Sequence, residues 1–267
     1  MTGRLLGKKS RSLLLTALAG LVATFTLACG PEFFEIPIET PIQPKMDVSP
    51  FQRVLVVGFV AGGTEEVDVN LETVRLLRSQ LRTKSSLKVI DADAMALMDI
   101  AQDQNKPAAE NAQGSAQTLA LPKTIKEEKD LEPYERLFAN TAYWKTLGEE
   151  YQNPLIVTGT VLFAPKTSYS LVTRDQEVFD SLGRRQVVPV RTYMERKGFV
   201  LQPKFVFIDG RTGTTLYSER YREEVLYNAQ QTTPPLSSYF ELMDRLVPNF
   251  LSALSNQKVK GTRVLLN

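Results

Sequence analysis

The sequence predicts an α/β fold: a single mixed β-sheet flanked by helices and carrying an extended β-hairpin. Three observations lead there. Arg53 to Val60 is a nearly continuous β-branched run, as expected of a strand covered on both faces, and it is followed by apolar residues at helical spacing. Pro154 to Phe163 is a second such run after another helical pattern. Between them and the next helix, Tyr169–Val178 and Val187–Met194 alternate around a turn at 180–185 and read as a long hairpin.

Taken in order, the elements follow from local chemistry. Gly62-Gly63 closes the first strand, but the spacing Gly58-Phe-Val-Ala-Gly62-Gly63 fits neither phosphate-binding glycine motif, so the stretch reads as a plain strand-to-helix turn. Asn70 is placed to cap a helix bearing Leu71, Val74, Leu77 and Leu81. Leu87 to Ile90 reads as a strand, and Asp91 or Asp93 as the cap of a short helix with Met95, Leu97, Met98 and Ile100. Pro133 suits a first helical turn, and Tyr134, Leu137, Phe138, Trp144, Leu147 and Tyr151 give that helix a broad apolar face, read as core packing. Phe199, Leu201, Phe205 and Phe207 fall on one face of a strand. Asp209-Gly-Arg-Thr-Gly213 is a turn signal, with Thr214 to Tyr221 returning as the partner strand. Ser238 and Glu241 form a capping-box pattern before a last helix bearing Tyr239, Leu242, Leu246, Phe250 and Leu254, which Pro248 is expected to kink or shorten. No internal repeat is evident.

The ends of the chain differ from this middle. Residues 1–28 hold Arg4, Lys8, Lys9 and Arg11, no acid, and an uncharged run from Leu13 to Ala28 that is short for a membrane span; this is the order of a secretory signal. Thr26-Leu27-Ala28-Cys29 looks like a bacterial lipobox in a less common form, with Cys29 becoming the lipidated first residue of the mature protein. An ordinary signal followed by a free cysteine is the competing reading. From residue 29 to 52 the prolines at 31, 37, 41, 44 and 50 are too closely spaced for a helix or an inner strand. The segment reads as a tether, roughly 60 to 70 Å long at about 3.1 Å per residue. A second reading packs Phe33, Phe34, Ile36 and Ile38 on the domain, and both stand. The folded part is then residues 53–255. Within it, residues 102–130 have few large apolar side chains and read as a flexible insertion. Residues 256–267 read as a polar, frayed tail.

Composition narrows the chemistry. Of 267 residues, 43% are hydrophobic and 23% charged, ordinary values for a chain that buries a core. The formal charge is +2, but the signal supplies four of the positive residues and no negative ones, so the rest of the chain sits at −2 and offers no basic surface for nucleic acid. One cysteine excludes an internal disulfide, and the lack of any histidine excludes histidine-based nucleophilic catalysis, general acid–base chemistry and histidine-ligated zinc. The adjacent carboxylates Glu65-Glu66, Glu149-Glu150 and Glu223-Glu224 point apart on any regular element and read as solvated charge. No catalytic residue, cofactor or metal site is expected.

A resemblance adds to these readings. It rests on the β-branched strand after a Pro-rich tether, the sequence Leu147-Gly-Glu-Glu-Tyr151 running into Leu155-Ile-Val-Thr-Gly-Thr-Val161, and the strand pair joined at Phe207-Ile-Asp-Gly-Arg-Thr-Gly213. In this order they resemble the superfamily of the curli-secretion (CsgG-like) lipoprotein, the lipoprotein activators of penicillin-binding proteins and the N-terminal domain of TolB, over roughly Arg53 to Leu254. The resemblance implies a periplasmic α/β domain with no active site and no cofactor. One departure is plain: a channel-forming member inserts two long hairpins per subunit, whereas residues 228–235 lead directly into the last helix. The single hairpin here also lacks an apolar face for lipid.

The expected function is therefore that of a lipid-anchored, non-catalytic adaptor. It would sit at the periplasmic face of the outer membrane and assist envelope assembly, transport or wall synthesis. Gly30 after Cys29 favours that membrane by analogy with enterobacterial lipoproteins. Expected partners are the membrane, through the anchor, and an envelope protein, with a homo-oligomer as a further option. A curli-type channel subunit and an envelope hydrolase are the alternatives. The expected docking surface is the hairpin, through Tyr169, Leu171, Arg184, Arg185, Arg191 and Tyr193, an aromatic and arginine blend enriched at interfaces. A solvated edge hairpin without a partner is the competing reading.

Overall fold

In a computed structural model, residues 33–104, 121–179, 181–228, 231, 233–255 and 257–266 are described. They fall into two units: residues 43–256, and a ribbon of residues 33–42 with 257–266.

The larger unit is a mixed sheet between two helical layers. The strands β2 (Arg53–Gly63), β3 (Lys88–Val89), β4 (Leu155–Phe179), β5 (Arg185–Asp209) and β6 (Thr215–Arg220) are ordered β3-β2-β4-β5-β6, and β7 (Glu223–Asn228) pairs with β5 beyond β6. β2 runs parallel to β3 and β4, while β5 is antiparallel to β4, β6 and β7. One face is covered by α1 (Val69–Lys84) and α5 (Pro235–Leu254), the other by α2 (Leu97–Gln104), α3 (Glu135–Phe138) and α4 (Thr141–Glu150). Coverage on both faces is why β2 and the inner half of β4 are apolar without alternation.

A β-bulge between Val56 and Gly58 shifts the phase of β2. Val54 and Val56 face α1 and α5, Leu55 and Val57 face the other layer, and after the bulge Phe59 turns back to the first. There its ring meets Phe205 edge-on at 6.0 Å, within an aromatic cluster that continues from Phe205 to Phe250. One extra residue in a strand thus re-aims everything after it.

Helix boundaries depart from the sequence reading in instructive ways. Asp68, not Asn70, caps α1, accepting from the Leu71 amide at 3.0 Å. Asn70 instead ties two elements together, accepting from the Phe59 amide at 2.8 Å and donating to the Met95 carbonyl at 3.2 Å. The single helix expected from Pro133 to Tyr151 is broken in two. A 3-10 turn (Glu128–Tyr134) and α3 end at Ala139, and Asn140 caps α4 by accepting from the Tyr143 amide at 3.2 Å. α4 stops where Gln152 and Asn153 adopt φ of 64° and 55°, with the Asn153 amide donating to the Gly148 carbonyl at 2.7 Å. α5 begins at Pro235, before the Ser238–Glu241 box, because paired prolines preset its first turn. Ser238 is buried inside it, and the helix continues through Pro248 to Leu254.

Three further corrections concern segments read as irregular. Residues 121–130, the end of the expected flexible insertion, are docked on the body. Ile125 is buried in the second core layer, and the Gly63 amide donates to its carbonyl at 2.9 Å. Asp130 accepts from the Lys126 and Glu127 amides, and the Tyr134 hydroxyl donates to the Pro122 carbonyl at 2.7 Å. The stretch before the last helix contains β7, a strand not expected from the sequence. Within the Pro-rich segment, β1 (Phe33–Ile42) pairs antiparallel with β8 (Gln257–Leu266), the expected tail. Pro37 and Pro41 share one parity on β1, so a single register turns both proline nitrogens away from the partner strand, which an edge strand tolerates.

Candidate docking surface

β4 and β5 are each 25 residues long and pair without interruption from Leu155 opposite Asp209 to Phe179 opposite Arg185. The inner residues of β4, Leu155 to Phe163, are buried throughout. Beyond Phe163, the last residue paired with β2, the strand leaves the body. From Ala164 to Phe179 it extends roughly 50 Å at about 3.3 Å per residue. Three prolines fall in these strands where a missing donor is tolerated, Pro189 in the stretch of β5 that, among the described residues, has only β4 beside it. Pro165 lies just past the end of β2, where β4 has a neighbour on one side only. Pro203 falls where β6, paired from Lys204, gives way to β7, paired up to Leu201.

The four separate segments read from the sequence are therefore two continuous strands. β7 braces the base of the ribbon on β5 from Arg196 to Leu201, and Lys166 of β4 pairs with Glu224 of β7. Among the described residues no strand pairs with β5 between Arg185 and Glu195 except β4.

The register sorts the expected docking residues. Directly opposed residues share a face, so Tyr169, Leu171, Arg191 and Tyr193 lie on one face, with Leu171 opposite Tyr193 and Tyr169 opposite Glu195. Tyr193, Tyr169 and Leu171 are 81%, 68% and 54% exposed. The Tyr169 hydroxyl donates to Glu195 Oε1 at 3.3 Å, and Lys197 lies 3.4 Å from the same carboxylate. Arg185 is on the same face but pairs with Glu177 at the far end, roughly 20 Å from Arg191 along the strand at about 3.3 Å per residue. Arg184 is exposed in the turn. The predicted set thus divides into a stem patch and a tip. The tip also exposes Phe179, whose apolar character beside the arginines is legible in the sequence, and Val178, Leu182 and Val187, which are not singled out by it.

Neither face of the ribbon is a continuous apolar band. Asp175, Glu177, Arg191 and Glu195 occupy one, and Arg174 and Arg196 the other. Among the described residues no helix is long and apolar enough to cross a membrane, and no group of three or more Cys, Asp or Glu side chains is placed to hold a metal ion. Cys29 lies outside the described residues.

The turn after β2 opens into a cavity of about 240 Å³ lined by Gly62, Gly63, Glu65, Asp68 and Lys123. The Asp68 carboxylate already occupies the N-terminus of α1 there, so the place an anion would take is filled by the chain itself.

A second polar cluster is not legible in the sequence, because its members are far apart along the chain. Glu219 on β6 accepts from Lys45 Nζ at 2.6 Å, from the Tyr217 hydroxyl at 2.6 Å and from the Tyr221 hydroxyl. Burial works to raise the Glu219 carboxyl, but these hydrogen bonds together outweigh it and hold the group below its ordinary value. Burial and the Glu219 carboxylate push the Tyr221 phenol far up. The cluster fastens the segment ahead of β2 to the sheet, where Lys45 and Met46 also donate backbone hydrogen bonds to α5.

These features define a class by architecture: a mixed sheet between two helical layers, with one hairpin drawn out into a long exposed ribbon. No protein-family model matches the chain, and no curated protein matches it. Among solved structures it is similar to the PelC dodecamer from Paraburkholderia phytofirmans, at 12% identity and a TM-score of 0.37, over 82% of this chain and 97% of that one. It is also similar to lipoprotein GNA1162 from Neisseria meningitidis, at 12% identity and a TM-score of 0.34, over 76% of this chain and 99% of that one. A likeness this distant carries no weight for function.

Proposed function

We propose that the chain is a lipid-anchored envelope protein, held at the periplasmic face of the outer membrane through Cys29, that acts as a non-catalytic adaptor by docking its β4–β5 ribbon on another envelope protein. Membership of the curli-secretion, penicillin-binding-protein activator and TolB superfamily is part of the same proposal. The observation that carries it is the ribbon, whose outer half is drawn away from the body and holds Tyr169, Leu171 and Tyr193 together on one exposed face. Ordering a long hairpin has an entropic cost that the core does not recover, and a partner that covers the stem offsets it. Between Ala164 and Lys197 the sequence has seven Lys and Arg against four Asp and Glu, so the partner surface that fits is acidic.

The test is capture of crosslinked envelope proteins by the full chain, comparing Leu171→Asp with Tyr193→Asp in the stem and Arg184→Glu with Arg185→Glu at the tip. The stem pair should lose the partner while keeping the wild-type melting temperature. A folded stem variant that recovers the same proteins at wild-type yield overturns the docking role.

A further inference from the structure

We propose that the β1–β8 ribbon lies in the membrane interface beside the anchor, with the row containing Ile36 and Ile38 turned to the lipid. This rests on the reading of Cys29 as the lipidated residue. The register runs from Phe33 opposite Leu266 to Ile42 opposite Gln257, and it divides the ribbon into two unlike rows. One row holds the positions of Phe34, Ile36, Ile38, Thr40 and Ile42 across from Leu265, Arg263, Gly261, Val259 and Gln257. The other holds the positions of Phe33, Glu35, Pro37, Glu39 and Pro41 across from Leu266, Val264, Thr262, Lys260 and Lys258, with Lys260 Nζ 3.9 Å from Glu39. Ile36 and Ile38 are 45% and 40% exposed. Four of the ribbon's five charged positions thus fall in the second row, and the one in the first, Arg263, sits on a long stem that can reach the headgroups from an apolar surface.

Two arguments select lipid as the occupant. A sheet of only two strands is marginal in water, and β1 and β8 form a sheet of their own, so the apolar row needs a surface to bury against. The anchor supplies such a surface. Cys29 precedes Phe33 by four residues, a reach of at most about 14 Å, so acylation would hold the Phe33 end of the ribbon at the bilayer. With one end fixed there, contact by the rest of the apolar row becomes an intramolecular event at high effective concentration. An interfacial element of this type buries an apolar face at the headgroup boundary and keeps its charged face in water.

The experiment exploits the single cysteine of the sequence. Once Cys29 is acylated, Ile38→Cys supplies one free thiol for an environment-sensitive fluorophore, and Thr262→Cys supplies the control on the opposite row. The lipidated full chain is reconstituted in vesicles of phosphatidylethanolamine and phosphatidylglycerol containing nitroxide-headgroup lipid. Emission at 38 should shift to the blue and be lost to the nitroxide lipid, while emission at 262 keeps its aqueous maximum. Adding Ile36→Asp should return the label at 38 toward the aqueous maximum. Floating, acylated protein with equal quenching at 38 and 262 overturns the inference and leaves the anchor standing. A label at 38 shielded from aqueous iodide but untouched by nitroxide lipid means that protein, such as a second copy, covers the row, and overturns it as well. Absence of acyl chains on Cys29 by mass overturns both readings.

Discussion

Leu171 stands directly across the ribbon from Tyr193, and both side chains are more than half exposed. A cross-strand pair of this kind contributes roughly 0.2 to 1 kcal/mol to a sheet. Truncating both to alanine should therefore move stability by less than about 1 kcal/mol in denaturant unfolding. The same measurement on Phe205→Ala, a buried ring that meets both Phe59 and Phe250, should show a loss of about 3 to 5 kcal/mol. A large loss from the exposed pair would mean that the ribbon is a structural element rather than a surface held out for binding.

Glu219 makes stability depend on pH in a definite direction. Its folded-state carboxyl is held below the ordinary 4.5, so its contribution is present above that value and is lost as pH falls through the depressed one. Glu219→Gln should flatten the acid side of the stability profile. At neutral pH it should cost about 1 kcal/mol, below the usual range for a charged hydrogen-bond acceptor, because the Lys45 side chain is 40% exposed and solvent screens the pair. Urea midpoints between pH 3 and 7 for the two proteins would check both points.

Ile125 separates a docked segment from a disposable one. It is buried against the second core layer, and its carbonyl accepts from Gly63. Ile125→Ala should lower stability by about 2 to 4 kcal/mol, and deletion of residues 121–130 should do more. Thermal unfolding of the two variants distinguishes this from the dispensable insertion expected of the composition.

Trp144 joins the halves of the broken helix. Its Nε1 donates to the Leu137 carbonyl at 2.8 Å across the Asn140 break, and its ring stacks on Phe138 at 6.4 Å. Trp144→Phe keeps most of the apolar volume and removes only the indole hydrogen bond, because the Leu137 carbonyl still accepts from the Asn140 amide at 3.2 Å, for a loss of about 0.5 to 1.5 kcal/mol. Trp144→Ala should lose about 3 to 5 kcal/mol. Guanidinium melts of both variants measure the difference.

Cys29→Ser should abolish incorporation of labelled fatty acid and leave an uncleaved or soluble product. Normal lipid labelling of that variant would overturn the anchor.

Much of the architecture was decided locally. The β-branched run at Arg53–Val60 and the apolar spacing of Val74, Leu77 and Leu81 carry a periodicity set by which faces are buried, so strand and helix are legible without knowing the neighbours. The face shared by Tyr169 and Leu171 is likewise a consequence of strand alternation alone. What lies opposite that face is not local. Placing Tyr193 across from Leu171 required the register of two 25-residue strands, fixed by the buried pairing from Leu155 and Asp209 onward. The same holds for Lys45 meeting Glu219, for Ile125 finding a core vacancy its polar surroundings did not announce, and for β1 finding β8 from the other end of the chain. In each case the deciding term is a contact between residues distant in sequence, whose favourable energy appears only after the rest of the chain has closed the loop between them.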